Sequence, residues 1–299
     1  MKKWKKMIAV ALTGVTLGVP LTQTVQAESM TYSQWSEQVK DVTPKIDSVH
    51  ISAQGEFNTT GGETKPVSVT ATLDALLDIA HLNTSGKASA NVEGQAFGAE
   101  WALKDNDLVY SILGAPFEKV DISQQKDEIK KMIPQILSQM MMEQMKVEEL
   151  NAKYAPLFDD LFDIEATDTE YVFNLKQNID GKAYFEKHEV LLKEFKQYVI
   201  DEMKKQQEFT SQDEQRLAEL DQHFNANAFA KLFSINPTYI VHYAKDTLNP
   251  LSIELNAVVK LKELIKSAGE NAPEQISVKY KVTFDKYNEP VEVKLPATN

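Results

Sequence analysis

Val67-Ser-Val-Thr-Ala-Thr-Leu-Asp-Ala-Leu-Leu-Asp-Ile79 places an apolar residue at every odd position. Its even positions hold Ser68, Thr70, Thr72, Asp74 and Asp78, with Leu76 the one exception. Successive side chains of a strand point to opposite faces, so this run predicts a long strand with one face buried. Such alternation belongs to antiparallel sheets, which cover one face and leave the other wet.

Upstream, Val49, Ile51, Ala53, Gly55 and Phe57 alternate with Ser48, His50, Ser52, Gln54 and Glu56, and Gly61-Gly62 supplies the turn. Downstream, a weaker strand is expected from Lys87 to Gln95. Glu100–Lys104 and Leu108–Leu113 then flank Asp105-Asn106-Asp107, a hairpin turn by composition. Near the end of the chain, alternation predicts strands at Tyr239–Tyr243, Leu251–Leu261, Ile276–Phe284 and Val291–Leu295.

Between these runs the period changes. Thr31-x-x-Gln34 has capping-box form and opens a short helix ending near Pro44. From Gln124 to about Leu161 the pattern is helical, with Pro134 as a kink or restart. A strand follows at Ile164–Gln177. Asp180-Gly181 then leads into an amphipathic helix whose stripe runs from Tyr184 through His188, Leu192, Phe195 and Val199 to Met203. Ser211-x-x-Glu214 caps a further helix. Strands bracketing a helical block predict an α+β fold, with helices gathered on one face of a large antiparallel sheet.

Residues 1–27 stand apart. Lys2, Lys3, Lys5 and Lys6 precede the apolar run Met7–Val19, and Val25-Gln26-Ala27 ends in the small-residue pattern of a cleavage site. This reads as a secretory signal peptide, too short to span a bilayer. Removing 27 of 299 residues leaves 272, expected to form a single domain, 28–299, secreted and monomeric. No later stretch approaches the roughly 20 apolar residues of a transmembrane span. The chain has no cysteine, which excludes a disulfide framework and a lipid-anchored lipobox. Leu295-Pro296-Ala297-Thr298-Asn299 resembles a sortase signal but lacks the apolar segment and basic tail of a complete one.

Composition narrows the function. Without the four lysines of the leader, 28 of the 32 basic residues remain against 44 acidic ones, a net charge of −16. A nucleic-acid binder needs clustered Lys and Arg, so nucleic acid is not an expected partner. The five histidines, His50, His81, His188, His223 and His242, never adopt metal-ligand spacing. His188 on the helical stripe reads as a hydrogen-bonded core residue. Asp159-Asp160 with Asp163 reads as a solvated helix end, because Ca²⁺ loops need alternating ligands and a turn glycine. There is no G-x-S-x-G elbow and no phosphate-cradling loop, so neither an enzyme nor a cofactor is expected.

Trp101 through Asp105-Asn106-Asp107-Leu108-Val109-Tyr110 to Phe117-Glu118-Lys119, the Asp180-Gly181 helix entry, Lys245-Asp246-Thr247-Leu248-Asn249-Pro250, Tyr287-Asn288 and Val293-Lys294-Leu295-Pro296 together resemble the LolA/LppX-like superfamily. More closely, it looks like the secreted LolA-like proteins of Gram-positive bacteria. The resemblance implies a curved half-barrel sheet whose concave face is covered by helices around an apolar cavity. It implies no catalytic residue. The chain departs from many members in lacking an N-terminal lipidated cysteine, and its Met-rich helical insert is larger.

The expected cavity lining is Met132, Ile133, Ile136, Met140 and Met141 from that insert, Leu192 and Phe195 from the amphipathic helix, and Trp101 from the sheet. Methionine adapts to irregular apolar surfaces. Met140, Met141 and Met142 sweep about 200° of a helix, so they need apolar partners on more than one side. Two functions follow: a secreted binding protein for a lipid or acyl chain, or a non-enzymatic interaction protein whose cavity its own side chains fill.

Overall fold

The computed structural model describes residues 28–42, 45–61, 65–123, 152–205, 224–261 and 272–298, backbone only at 199 and 202–205. The fold is α+β. The strands are β1 (Glu28–Met30), β2 (Ser48–Thr60), β3 (Ser68–Asp78), β4 (Asn83–Val92), β5 (Gln95–Lys104), β6 (Asp107–Ile112), β7 (Glu118–Asp121), β8 (Phe162–Ala166), β9 (Glu170–Leu175), β10 (Thr238–Ala244), β11 (Pro250–Lys260) and β12 (Gln275–Asp285). The described helices are α1 (Tyr32–Val39), α2 (152–161), α3 (Gly181–Lys205) and α4 (Ala226–Phe233). None of them is long and apolar enough to cross a membrane.

All twelve strands form one antiparallel sheet in the order β1-β8-β9-β10-β11-β12-β2-β3-β4-β5-β6-β7. The sheet is open. Its two edges are its shortest strands, of three and four residues, which limits the template offered to other chains. Turn chemistry sets the register. Glu93 and Gly94 both take positive φ (52° and 86°) between β4 and β5, as a two-residue hairpin loop requires. The expected turn at Asp105-Asn106 is present, with Asp105 at φ 55°.

Three expectations are corrected. Ile164–Gln177 is not one strand but the hairpin β8–β9. Its turn is closed by Thr167 N–H donating to Glu170 O (2.8 Å) and Glu170 N–H donating to Thr167 Oγ1 (3.0 Å). Val291–Leu295 forms no strand, although Val293 is buried; Pro290 and Pro296 bracket the segment and offer no N–H to a ladder. The strand expected at Lys87–Gln95 starts earlier, at Asn83. The helix expected after Ser211 lies outside the described residues.

Two apolar clusters hold the β8–β10 end together. In the first, Trp35 of α1 packs edge-on against Phe173 (4.9 Å) and stacks on Tyr243 (6.2 Å), above the fully buried Ile164 and Val241. The expected capping box forms: Thr31 Oγ1 accepts from Gln34 N–H, and Gln34 Oε1 accepts from Thr31 N–H. Ser33 donates both its N–H (2.7 Å) and its hydroxyl (2.6 Å) to Asp159, tying α1 to α2. The second cluster joins α2, α3 and α4 through Tyr154, Leu157, Tyr184, Phe185 and Leu192, with Phe229 and Phe233 against them. Asp180 caps α3 by accepting from Lys182 and Ala183 N–H.

Candidate functional site

Register carries one apolar face across the whole sheet. Ile253, Val282, Ala53, Leu73, Ala88, Ala99 and Ile112 are successive cross-strand partners from β11 to β6. The next row reads Leu255, Tyr280, Gly55, Ala71, Ala90 and Phe97. The two ends of this face differ. At β8–β10 it is packed solid, with Phe173 and Tyr171 buried. From β2 to β5 its floor is built from small residues, most of them only half-buried, and its rim from large ones: Phe97 is 46% exposed and Ile112 55%. Small side chains between large ones leave a shallow bed that can accept apolar matter.

Trp101 lies on this apolar side, opposite Gly86 on β4 and Tyr110 on β6. Its indole N–H points to Thr84 Oγ1 at 3.4 Å. Gly86 is needed there, because a Cβ would meet the indole at 2.7 Å. Leu192 and Phe195 sit elsewhere, in the helical cluster, Phe195 edge-on to Tyr154 at 5.1 Å. The structure therefore does not bring these two together with Trp101. Met132, Ile133, Ile136, Met140 and Met141 lie outside the described residues.

The carboxylates singled out by sequence are each committed to a different partner. Asp159 accepts from Ser33, Asp160 from Lys187 and His188 (2.5 Å each), and Asp163 lies 3.6 Å from Lys176. Those partners hold the Asp160 carboxyl below its ordinary range, outweighing the opposing effect of its partial burial. His188 is buried beside Asp160, the hydrogen-bonded core histidine that its stripe position implied.

Sequence reasoning missed a polar seam at the β9–β10–β11 end. His242 Nδ1 stands 2.8 Å from Glu170 Oε2, and Ser252 is its cross-strand partner. Burial, with Lys281 nearby, pulls the imidazole far below its usual range, while burial pushes the Glu170 carboxyl up. Serine, histidine and an acid are the parts of an activated nucleophile. Ser252, however, is fully enclosed and its hydroxyl has no hydrogen-bond partner. Glu170 and His242 are 72 residues apart, and no spacing rule joins them.

The opposite, polar side of the sheet is hollow. One cavity of about 730 Å³ is lined by Ser52, Gln54, Thr72, Asp74, Lys87, Ser89, Glu100, Ser111, Lys281 and Thr283, and by Phe117 of the β6–β7 connection; Ala53, Leu73, Ala88 and Ala99 of the apolar rows border it as well. A second, of about 510 Å³, shares Gln54, Thr72 and Lys281 with it and continues toward Asn256 and Thr238. Thr283 on β12 and Ser111 on β6 are five strand steps apart, about 24 Å across a flat sheet. Both line the same cavity.

No family model and no curated protein matches the chain. Among solved structures it is similar to a beta-barrel-like protein of domain of unknown function DUF1849 from Brucella abortus. The identity is 8%, the match covers 82% of this chain and 100% of that one, and the TM-score is 0.20. A likeness that distant carries no inference about this chain.

Proposed function

We propose that the protein is an exported, LolA-like carrier for a hydrophobic ligand, an acyl chain, bedded on the apolar side of the sheet from β12 to β5. Helices covering that side complete the pocket in this reading. The observation that supports it is the half-buried floor of Ala53, Gly55, Ala88 and Ala90 between the large side chains of Leu73, Phe97 and Trp101. Holding the ligand needs only burial: each CH₂ removed from water is worth about 0.8 kcal/mol, roughly 12 kcal/mol gross for a 16-carbon tail before binding entropy. No cofactor and no reacting side chain takes part. Cleavage after Ala27 leaves Glu28, the first residue of β1, at the mature N-terminus, so N-terminal sequencing of the exported protein should begin there.

Native mass spectrometry of gently purified protein should show retained lipid, and a fluorescent fatty acid should bind the delipidated chain. Ala88→Phe fills the bed, and should abolish probe binding with little change in melting temperature. Neither lipid nor probe binding in the wild type would overturn the carrier reading. A second reading, an interaction protein that binds no ligand, draws on Ile112 and Leu113, exposed at 55% and 63% beside the open β7 edge. A stable protein complex without lipid would favour it.

A further inference from the structure

We propose that the polar trough on the other side of the sheet is a separate binding site, for a segment of an uncharged oligosaccharide. It does not depend on the carrier reading: Ala53, Leu73, Ala88 and Ala99 border the trough too, but Ser52, Gln54, Thr72, Asp74, Lys87, Ser89 and Glu100 alternate with them in register, so their side chains stand on the opposite side of the sheet.

The trough is long and continuous. Its two cavities share three residues and run from β10 to β6, seven strand steps, so the occupant is an extended chain rather than a compact molecule. The lining chemistry selects the kind of chain. Ser52, Thr72, Ser89 and Gln54 can each donate and accept, as sugar hydroxyls do. Thr72 and Ser89 already exchange a 2.7 Å hydrogen bond, which fixes their hydroxyls side by side on the floor.

Charge excludes the other extended polymers. Although the chain is strongly acidic, the trough interleaves its signs: Asp74, Lys87 and Glu100 are consecutive cross-strand partners, and Lys281 pairs with Glu254 at 2.5 Å. A polyanion needs contiguous cations, and a polycation contiguous acids. Among the described residues of the trough there is neither. An extended peptide needs apolar recesses for alternate side chains, and the side chains that stand on this side of β2 to β5, Ser52, Gln54, Thr72, Asp74, Lys87, Ser89 and Glu100, are polar. Carboxylates and ammonium groups still suit sugar hydroxyls, because each makes charge-assisted hydrogen bonds to neutral partners. At one end Phe117 adds an apolar ring to this polar wall, suited to the C–H face of a sugar. Its loop is held by Ser111 Oγ donating to Ala115 O (2.6 Å) and Tyr110 OH donating to Glu118 (2.7 Å).

Chitohexaose and maltohexaose, two neutral hexasaccharides, are the probes, titrated calorimetrically into the full mature chain. At least one should bind at one site per chain. Ser89→Trp fills the trough from an exposed position and should weaken that binding at least about tenfold. Phe117→Ala removes only the terminal ring and should weaken it too, which keeps the site testable if the Trp variant fails to fold. Fatty-acid probe binding should be unchanged in Phe117→Ala. Failure of both hexasaccharides at millimolar concentration overturns the proposal. So does unchanged affinity in a folded Ser89→Trp, or polyphosphate binding where the sugars do not bind.

Discussion

Trp101 lies across Gly86 so closely that a Cβ there would stand 2.7 Å from the indole Cζ2 and 2.6 Å from the Asp74 carbonyl oxygen. One contact is with a movable ring and the other with the backbone of the neighbouring strand. Gly86→Ala should therefore destabilise the fold by about 3 kcal/mol, the upper range for overpacking. Adding Trp101→Ala should recover only the ring's share. Urea unfolding of the three variants measures this; a neutral Gly86→Ala would show that the strands can part at no cost.

Gly181 makes the same argument for the helices. A Cβ at the start of α3 would collide with the Phe229 carbonyl oxygen and fall 2.6 Å from its carbon, both in the backbone of α4. Gly181→Ala should push α4 away, at a cost of about 3 kcal/mol, and increase hydrogen exchange across Ala226–Phe233. Exchange unchanged from the wild type would contradict the docking of these helices.

Asp159 receives two hydrogen bonds from Ser33, one of them from the backbone of the first turn of α1. Asp159→Ala should cost about 2 kcal/mol, because it strands that N–H as well as the hydroxyl. Ser33→Ala loses the hydroxyl bond alone and should cost about 1 kcal/mol. Equal costs would mean that the backbone bond contributes nothing.

His242 should make the protein acid-sensitive. Burial, then Lys281, depresses its folded pKa, so the unfolded chain binds a proton that the native one refuses. Stability is thus lost as pH falls below the unfolded value of about 6.5. Glu170 acts with the opposite sign nearer its own range, because its folded pKa is raised. The window is therefore about pH 5 to 6.5. Melting temperatures should fall across it in the wild type and less steeply in His242→Gln; parallel slopes would remove His242 from the account.

The long strands were legible because alternation over many residues has no helical equivalent, and Val67–Ile79 gave β3 almost to its ends. The β8–β9 turn was not, because the Thr167 side chain closes it in place of Gly or Pro. Its one trace is a phase shift, from even positions at Ile164 and Ala166 to odd ones at Tyr171 and Phe173. Alternation also names a face without naming a neighbour, so the insertion of β12 between β11 and β2 could not be read. At the site, Trp101 was visible as a large residue in a strand. The absence at Gly86 that seats it was not, and the polar hollow stayed hidden because polar alternation looks the same whether or not a cavity forms over it.

The position of β12 has a consequence for how the chain is made. It zips the two halves of the sheet together, pairing His50 with Asp285 and Ser252 with Thr283. Until Gln275–Asp285 has left the ribosome, β2 and β11 are raw edges with nothing between them. Contacts of such long sequence separation form slowly. A nascent chain of this design keeps its sheet in two unjoined parts until β12 has emerged.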